Sequence, residues 1–234
     1  MWQRCGRVPL GLAMLVLLAG SATGAGLREP ICHGSRAMSA IALTFDACQA
    51  GKPAGYDAAV IRVLRCAHTP ATLFLGGRWM ESHAAVTKEL SRDPLFELAN
   101  HSYSHPHMLG LAEPRIREEL QKTQDVMFRL TGARGSLFRP PYGEYDARLL
   151  AVADRLGLRT IKWEVVSGDP DRHITAAKMV RAVAGRTGNG SIIIMHMNGR
   201  GHHTAEALPR IIRELRGRGY RFVTVSELLR LAPA

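Results

Sequence analysis

Apolar positions along the chain follow two alternating rhythms. Short, nearly continuous apolar runs occupy residues 41–45, 71–75, 95–99, 137–138, 159–166, 191–195 and 220–223. Between them, apolar residues recur three and four apart, as in Val60, Val63 and Leu64, or Ile116, Leu120, Met127 and Leu130. The first rhythm predicts buried strands and the second predicts amphipathic helices. Helices are expected over 56–66, 79–90, 114–130, 174–183, 205–215 and 226–231, with a further one carrying Leu149, Leu150, Val152 and Leu156. Asp146 is placed to cap that helix, and Gly132 to stop the one before it. Seven strand–helix units thus follow one another without a Pro/Ser-rich linker, a repeat or a low-complexity stretch. Strict alternation of this kind implies an α/β fold with a parallel sheet in one domain. An incomplete barrel related to the eight-fold type is expected, with a doubly wound open sheet as the alternative.

The first 25 residues do not fit this rhythm. Arg4 and Arg7 precede an apolar run over 10–19, and small residues fill 20–25. A positive flank, a short apolar core and a small-residue end describe a secretory signal peptide. The expected organisation is a signal peptide over 1–25 and one domain over 26–234. The apolar run is short for a membrane helix, so no stable membrane span is expected after cleavage. The expected location is secreted or periplasmic, and an uncleaved anchor is the alternative. Cys5 leaves with the signal, while Cys32, Cys48 and Cys66 remain. In an oxidising compartment, one disulfide of unspecified pairing and one free thiol are expected. Three reduced, packed thiols are the alternative.

Composition changes this picture little. With 46% hydrophobic and 22% charged residues, the chain has an ordinary globular balance. Its formal charge of +11 could suit nucleic acid, but the basic residues are scattered, with six Phe and five Tyr for stacking. No nucleic-acid partner is expected. An anionic cell-wall polymer is compatible with the charge.

The polar residues that look out of place fall at the C-terminal ends of the predicted strands. Asp46 follows the first, His101 and His105 the third, Arg139 and Tyr142 the fourth. Asp169 lies just beyond the fifth, which contains Trp163, and His196 follows the sixth. That end of a parallel α/β sheet carries the active site. His101 and His105 are four apart, one helical turn, so both could face one metal ion. Each piece also has a plainer reading: a turn-capping Asp46, a stiff turn through Pro140 and Pro141, and a rim histidine at His196. His107 reads as a surface side chain.

Taken together, Thr44, Phe45 and Asp46; His101 through Ser102, Tyr103 and Ser104 to His105; Arg139, Pro140, Pro141, Tyr142 and Gly143; Trp163 to Asp169; and Met195 with His196 resemble the five ordered motifs of the polysaccharide deacetylases. This is the NodB-homology family, or carbohydrate esterase family 4. The resemblance covers most of the chain beyond the signal and implies a distorted (β/α)7 barrel. It implies a hydrolase of carbon–nitrogen bonds other than peptide bonds, which removes acetyl groups from a glycan with a divalent metal, usually zinc. It assigns Asp46 as general base, His101 and His105 as metal ligands, and Arg139 as the group orienting the base. The Tyr142 backbone N–H would help bind the oxyanion, and Tyr142 and Trp163 would contact substrate. His196 would be the general acid, tuned by Asp169.

The chain departs from the pattern at Ala47, where the family usually has a second Asp that binds the metal. The third ligand is therefore missing from its usual place. Asp46, Cys48 or water could fill it, or the site could be metal-free. Val166 and Pro170 also stand where an acidic residue and a Trp are common. The polar segment over 198–204 reads either as a substrate-contacting loop or as an exposed linker. Two other function classes are a glycan-binding protein on the same fold and a metal-independent cyclic amidase.

Overall fold

The computed structural model describes residues 28–50 and 54–231. The expected signal peptide, with Cys5, lies outside the described residues. The central strand is β1 (Ala40–Ala47), buried at every position. It is followed by α1 (Ala58–Cys66), β2 (Ala71–Leu75), α2 (Gly77–Ser82), α3 (Ala84–Arg92), β3 (Phe96–Asn100) and α4 (Glu113–Thr131). Then come β4 (Leu137–Phe138), α5 (Ala147–Arg155), β5 (Arg159–Thr160), β6 (Val165–Val166), α6 (Ala176–Arg186) and β7 (Ile192–His196). The chain closes with α7 (Thr204–Gly217), β8 (Arg221–Phe222) and α8 (Val225–Arg230).

All strand pairs are parallel, in the order β5-β4-β3-β2-β1-β7-β6, with β8 also beside β1. The sheet curls so that its outermost strands, β5 and β6, are consecutive in the chain. Ile31 bridges to Ile161, just past β5, and His33 to Ser191, just before β7, so the segment before β1 links the β5 edge to the start of β7. This is the expected distorted (β/α)7 barrel in one domain.

Strand alternation sorts the core into two layers. Ile41, Leu43, Phe45 and Ala47 face outward and pack with Leu64, Leu208 and Ile211 from the helices. Ala40 and Ala42 face inward, with Phe74, Ala99, Leu137 and Ile192. Helix ends follow local chemistry. Asp146 accepts a hydrogen bond from the Leu149 N–H at 2.8 Å, and such a cap contributes about 1 kcal/mol. Gly132 ends α4 in the left-handed region, φ 76°, which Gly adopts without a Cβ penalty.

Three expectations need correction. The helix expected over 79–90 is two helices, because His83 leaves helical geometry (φ −123°, ψ 43°) and stacks its ring on Trp79 at 4.5 Å. The strand expected over 159–166 is two short ones that change neighbours. Ile161 N–H bonds to Phe138 O, whereas Glu164 N–H bonds to Ile192 O, so the chain turns a corner between the two edges. The eighth strand arises from that corner. Finally, among the described residues no disulfide forms: Cys32, Cys48 and Cys66 are all free. They sit on separate parts of the fold, the closing segment, the rim of β1 and the end of α1. Among the described residues, no helix is long and apolar enough to cross a membrane.

Candidate active site

The C-terminal rim holds a cavity of about 200 Å³ whose walls include Asp46, His101, His105, Tyr142, Trp163 and His196. Cys48, Val166, Asp169, Pro170 and Arg200 also line it. A larger groove of about 560 Å³ lies outside the barrel between α1 and α7. Val63, Ala67, Pro209, Ile212 and arginine side chains form its walls, with no acid–base pair, so it is not the site of hydrolytic chemistry.

Asp46 sits one residue before the end of β1, on the inward face. Arg139, fully buried, donates to Asp46 Oδ1 at 2.6 Å and to Lys162 O at 3.1 Å. Its guanidinium lies over the Phe74 ring, 3.9 Å from the centroid. Burial alone would keep Asp46 protonated. The charge and hydrogen bond of Arg139, with the nearby His196, outweigh it and hold the carboxyl below the usual carboxylate range. Asp46 is therefore an anion at neutral pH.

The His101–His105 segment is not a helix, and the one-turn rationale for the pair is corrected. It is a tight loop with Ser102 and His105 at positive φ, 62° and 57°. Side chains from neighbouring elements hold it. Asn100 Oδ1 accepts from Ser102 N–H, and Ser102 Oγ accepts from His105 N–H. Glu119, on the buried face of α4, accepts from Tyr103 N–H at 3.0 Å, Ser104 N–H at 2.8 Å and Ser104 Oγ at 2.8 Å. The two rings end 4.9 Å apart. His101 donates through Nδ1 to Arg139 O at 2.8 Å, which leaves Nε2 with a free lone pair, 3.6 Å from Asp46 Oδ2. Burial lowers both histidines, His105 to about 3, with His101 adding to the effect there. Both are neutral, the state a metal requires.

Cys48 joins them. The candidate ligand atoms of Cys48, His101 and His105 all lie within 4.8 Å of one another, and all three residues are buried. His105 Nδ1 is buried with no hydrogen-bond partner. An orphaned imidazole nitrogen beside a second imidazole and a thiol fits a divalent ion of borderline softness. Without an ion, burial and the nearby Asp46 push the Cys48 thiol up to about 12.

Across the cavity, His196 Nδ1 meets Asp169 Oδ1 at 2.9 Å. Asp169 is fully buried and also accepts from Ser167 Oγ, Thr204 Oγ1 and the His196 N–H. Burial works against a charged His196, but the Asp169 hydrogen bond and charge win, and its pKa is raised. The 198–204 segment, expected as a substrate loop or a linker, clasps this pair: His202 N–H bonds to Asp169 O at 2.8 Å. Its Arg200 lines the cavity. Tyr142 adopts φ 58° in the turn after Pro140 and Pro141, half exposed, with His107 stacked on it at 3.9 Å. His107 is exposed, as expected. Trp163 packs against the same turn, where a Cβ on Gly143 would come within 2.7 Å of its ring.

The structure brings every site residue expected from sequence to this rim. Sequence reading missed Glu119 and Asn100, which hold the histidine loop, and it offered Asn198, Arg200 and Thr204 only as parts of the polar 198–204 segment, without individual roles. For Glu119 a signal existed: an acidic residue sits beside Ile116 and Leu120 on an apolar helix stripe.

Comparison with known proteins agrees with this geometry. A family model described as polysaccharide deacetylase matches residues 33–161. A peptidoglycan-N-acetylglucosamine deacetylase of Bacillus cereus is 30% identical over 190 residues, which cover 80% of this chain and 67% of that protein. The solved Bc1960 peptidoglycan N-acetylglucosamine deacetylase superposes with a TM-score of 0.79 at 28% identity, covering 86% and 92% of the two chains. BA3943 of Bacillus anthracis, described as a carbohydrate esterase family 4 pseudoenzyme, gives a TM-score of 0.77 at 29% identity, covering 86% and 69%. The chain spans 60% of the length of one curated relative and 27% of another. With the family model covering more than half its length and the motif residues gathered at one rim, the chain belongs to the polysaccharide deacetylase family, carbohydrate esterase family 4.

Proposed function

We propose that the protein is a secreted or periplasmic hydrolase that removes acetyl groups from N-acetylated sugars of a cell-wall or exopolysaccharide glycan. One observation carries the reading. An anionic carboxylate, Asp46, and a histidine of raised pKa, His196, line one small cavity together with two neutral histidines. An acetamide is unreactive toward neutral water, so hydrolysis needs a base for the water and an acid for the amine.

A zinc ion held by His101 and His105 would polarise the acetyl carbonyl and ease ionisation of water. The chain's own groups do the rest. Asp46, oriented by Arg139, takes a proton from the attacking water as its oxygen bonds to the carbonyl carbon. Pro140 and Pro141 have no N–H, so Tyr142 is the first residue of the stiff turn able to aim a backbone donor at the developing oxyanion. His196, held cationic by Asp169, gives its proton to the nitrogen as the C–N bond breaks. Acetate and a free amine result. Trp163 and the half-exposed Tyr142 would form apolar walls for sugar rings.

The pseudoenzyme relative motivates a second reading, a glycan-binding protein without turnover. The retained Asp46–Arg139 and His196–Asp169 pairs argue against it, because binding alone requires no acid–base pair. Acetate release from N-acetylated peptidoglycan, chitin oligomers and acetylxylan separates the readings. Release lost in Asp46→Asn supports the hydrolase. Glycan binding with no release in zinc-loaded wild type supports the binder. N-terminal sequencing of exported protein should start near Gly26; a sequence starting at Met1 would argue against cleavage.

A further inference from the structure

We propose that Cys48 is the third protein ligand of the metal, so that the site is Cys48, His101 and His105. The inference rests on the deacetylase reading for the presence of a metal at this rim. It concerns the donor that replaces the carboxylate missing at Ala47.

The argument begins in β1. Side chains alternate along a strand, and Asp46 points into the barrel mouth. Ala47, fully buried, belongs to the outward layer packed under the helices with Trp79 and Met197. Cys48 returns to the face of Asp46 and lines the cavity. Two contacts hold it there. Asn198 Nδ2 donates to Cys48 O at 2.7 Å and lies 3.6 Å from its Sγ. Gly76, on the next strand's loop, leaves the room: a Cβ there would come within 3.3 Å of Cys48 Cα.

The donor geometry then fits. Zinc bonds of about 2.3 Å to sulfur and 2.0–2.1 Å to nitrogen put tetrahedral ligand atoms roughly 3.3–3.6 Å apart. The three candidate atoms, all within 4.8 Å of one another, need to close by about 1 Å or a little more. His101 presents its Nε2, because Nδ1 is committed to Arg139 O. His105 has a nitrogen with no other partner. Asp46 already has Arg139 on Oδ1 at 2.6 Å, and a sulfur ligand leaves it free to act as base. A thiolate also biases the site toward zinc and cobalt over magnesium, calcium and manganese.

Four measurements on the full chain test this. Zinc X-ray absorption of the wild-type protein should show one sulfur neighbour at about 2.3 Å alongside nitrogen. The cobalt(II) form should show a near-ultraviolet thiolate-to-metal charge-transfer band. That band should disappear in Cys48→Asp, which keeps an anionic ligand, and persist in Cys32→Ser and Cys66→Ser. Cys48→Ala should weaken zinc binding about 10- to 100-fold. A bound zinc with only nitrogen and oxygen neighbours, or a band that survives Cys48→Asp, overturns the Cys48 assignment and leaves the deacetylase reading standing. Full acetate release from protein free of any divalent ion overturns the metal part of both.

Discussion

Asp46 and His196 are register partners on the neighbouring parallel strands β1 and β7. Adjacent strands run about 4.8 Å apart, so the proposed base and acid leave the sheet side by side and reach one acetyl group. Asp46→Asn and His196→Ala should each lower kcat for acetate release by about 10²–10⁴-fold. The double variant should be little worse than the poorer single one, because groups acting in one reaction are not additive. Retention of near wild-type kcat by Asp46→Asn in zinc-loaded protein would remove the base assignment.

The same pair sets the pH profile. Asp46 must be ionised, and its carboxyl titrates below its ordinary 3.8. His196 must be protonated, and it titrates above its ordinary 6.5. Activity should hold between these limits, fall as pH drops through the Asp46 value, and fall as pH rises past the raised His196 value. Asp169→Asn removes the charge and the ionic hydrogen bond that raise His196. The alkaline limb should then move to lower pH while the acid limb stays. An alkaline limb unmoved in Asp169→Asn would show that another group sets it.

Gly201 is tightly packed beneath this pair. A Cβ there would lie 2.5 Å from His196 O, 2.9 Å from Asp169 Oδ2 and 2.4 Å from Thr204 Oγ1. The first is backbone and cannot swing away. Gly201→Ala should cost roughly 1–3 kcal/mol of stability, as overpacking does, and should lower kcat through a displaced Asp169. Denaturant midpoints and acetate release measured together check this. Unchanged values for both would mean that the 198–204 segment is looser than its bonds suggest.

The barrel was legible because strand and helix periods alternate without interruption, and because parallel strands buried on both faces read as continuous apolar runs. The rim residues were legible because polar groups such as Asp46 and His196 end those runs. The corner after Thr160 was not, since an apolar run carries no mark of a change of neighbours. The two-helix break at His83 depends on a ring stacked on Trp79, and no period records that. The loop between His101 and His105 mimicked a helical turn in spacing alone. Its shape is set by Glu119, which the chain reaches only through α4.

That dependence gives the last prediction. Glu119 is buried to 1% exposure and spends both oxygens on the histidine loop: Oε2 on two backbone N–H groups, Oε1 on Ser104 Oγ and on Arg115 at 3.2 Å. The loop needs this anchor, because Ser102 and His105 occupy backbone conformations that side-chain-bearing residues adopt at a cost. Glu119→Gln keeps the volume but turns one acceptor into a donor. With the amide oxygen kept on the two backbone N–H groups, Ser104 Oγ turns to accept from the N–H₂, Arg115 loses its acceptor, and the charge-assisted bonds that held the loop become weaker neutral ones. Stability should fall by roughly 1–3 kcal/mol. Zinc affinity should fall about 10- to 100-fold, as it does when groups supporting metal ligands are removed. At saturating zinc much of kcat should return, since Asp46 and His196 are untouched. Zinc titration against a competing chelator, beside thermal unfolding of the zinc-free protein, separates the two effects. A lower Tm with unchanged zinc affinity would mean that Glu119 supports the fold and does not position the metal ligands.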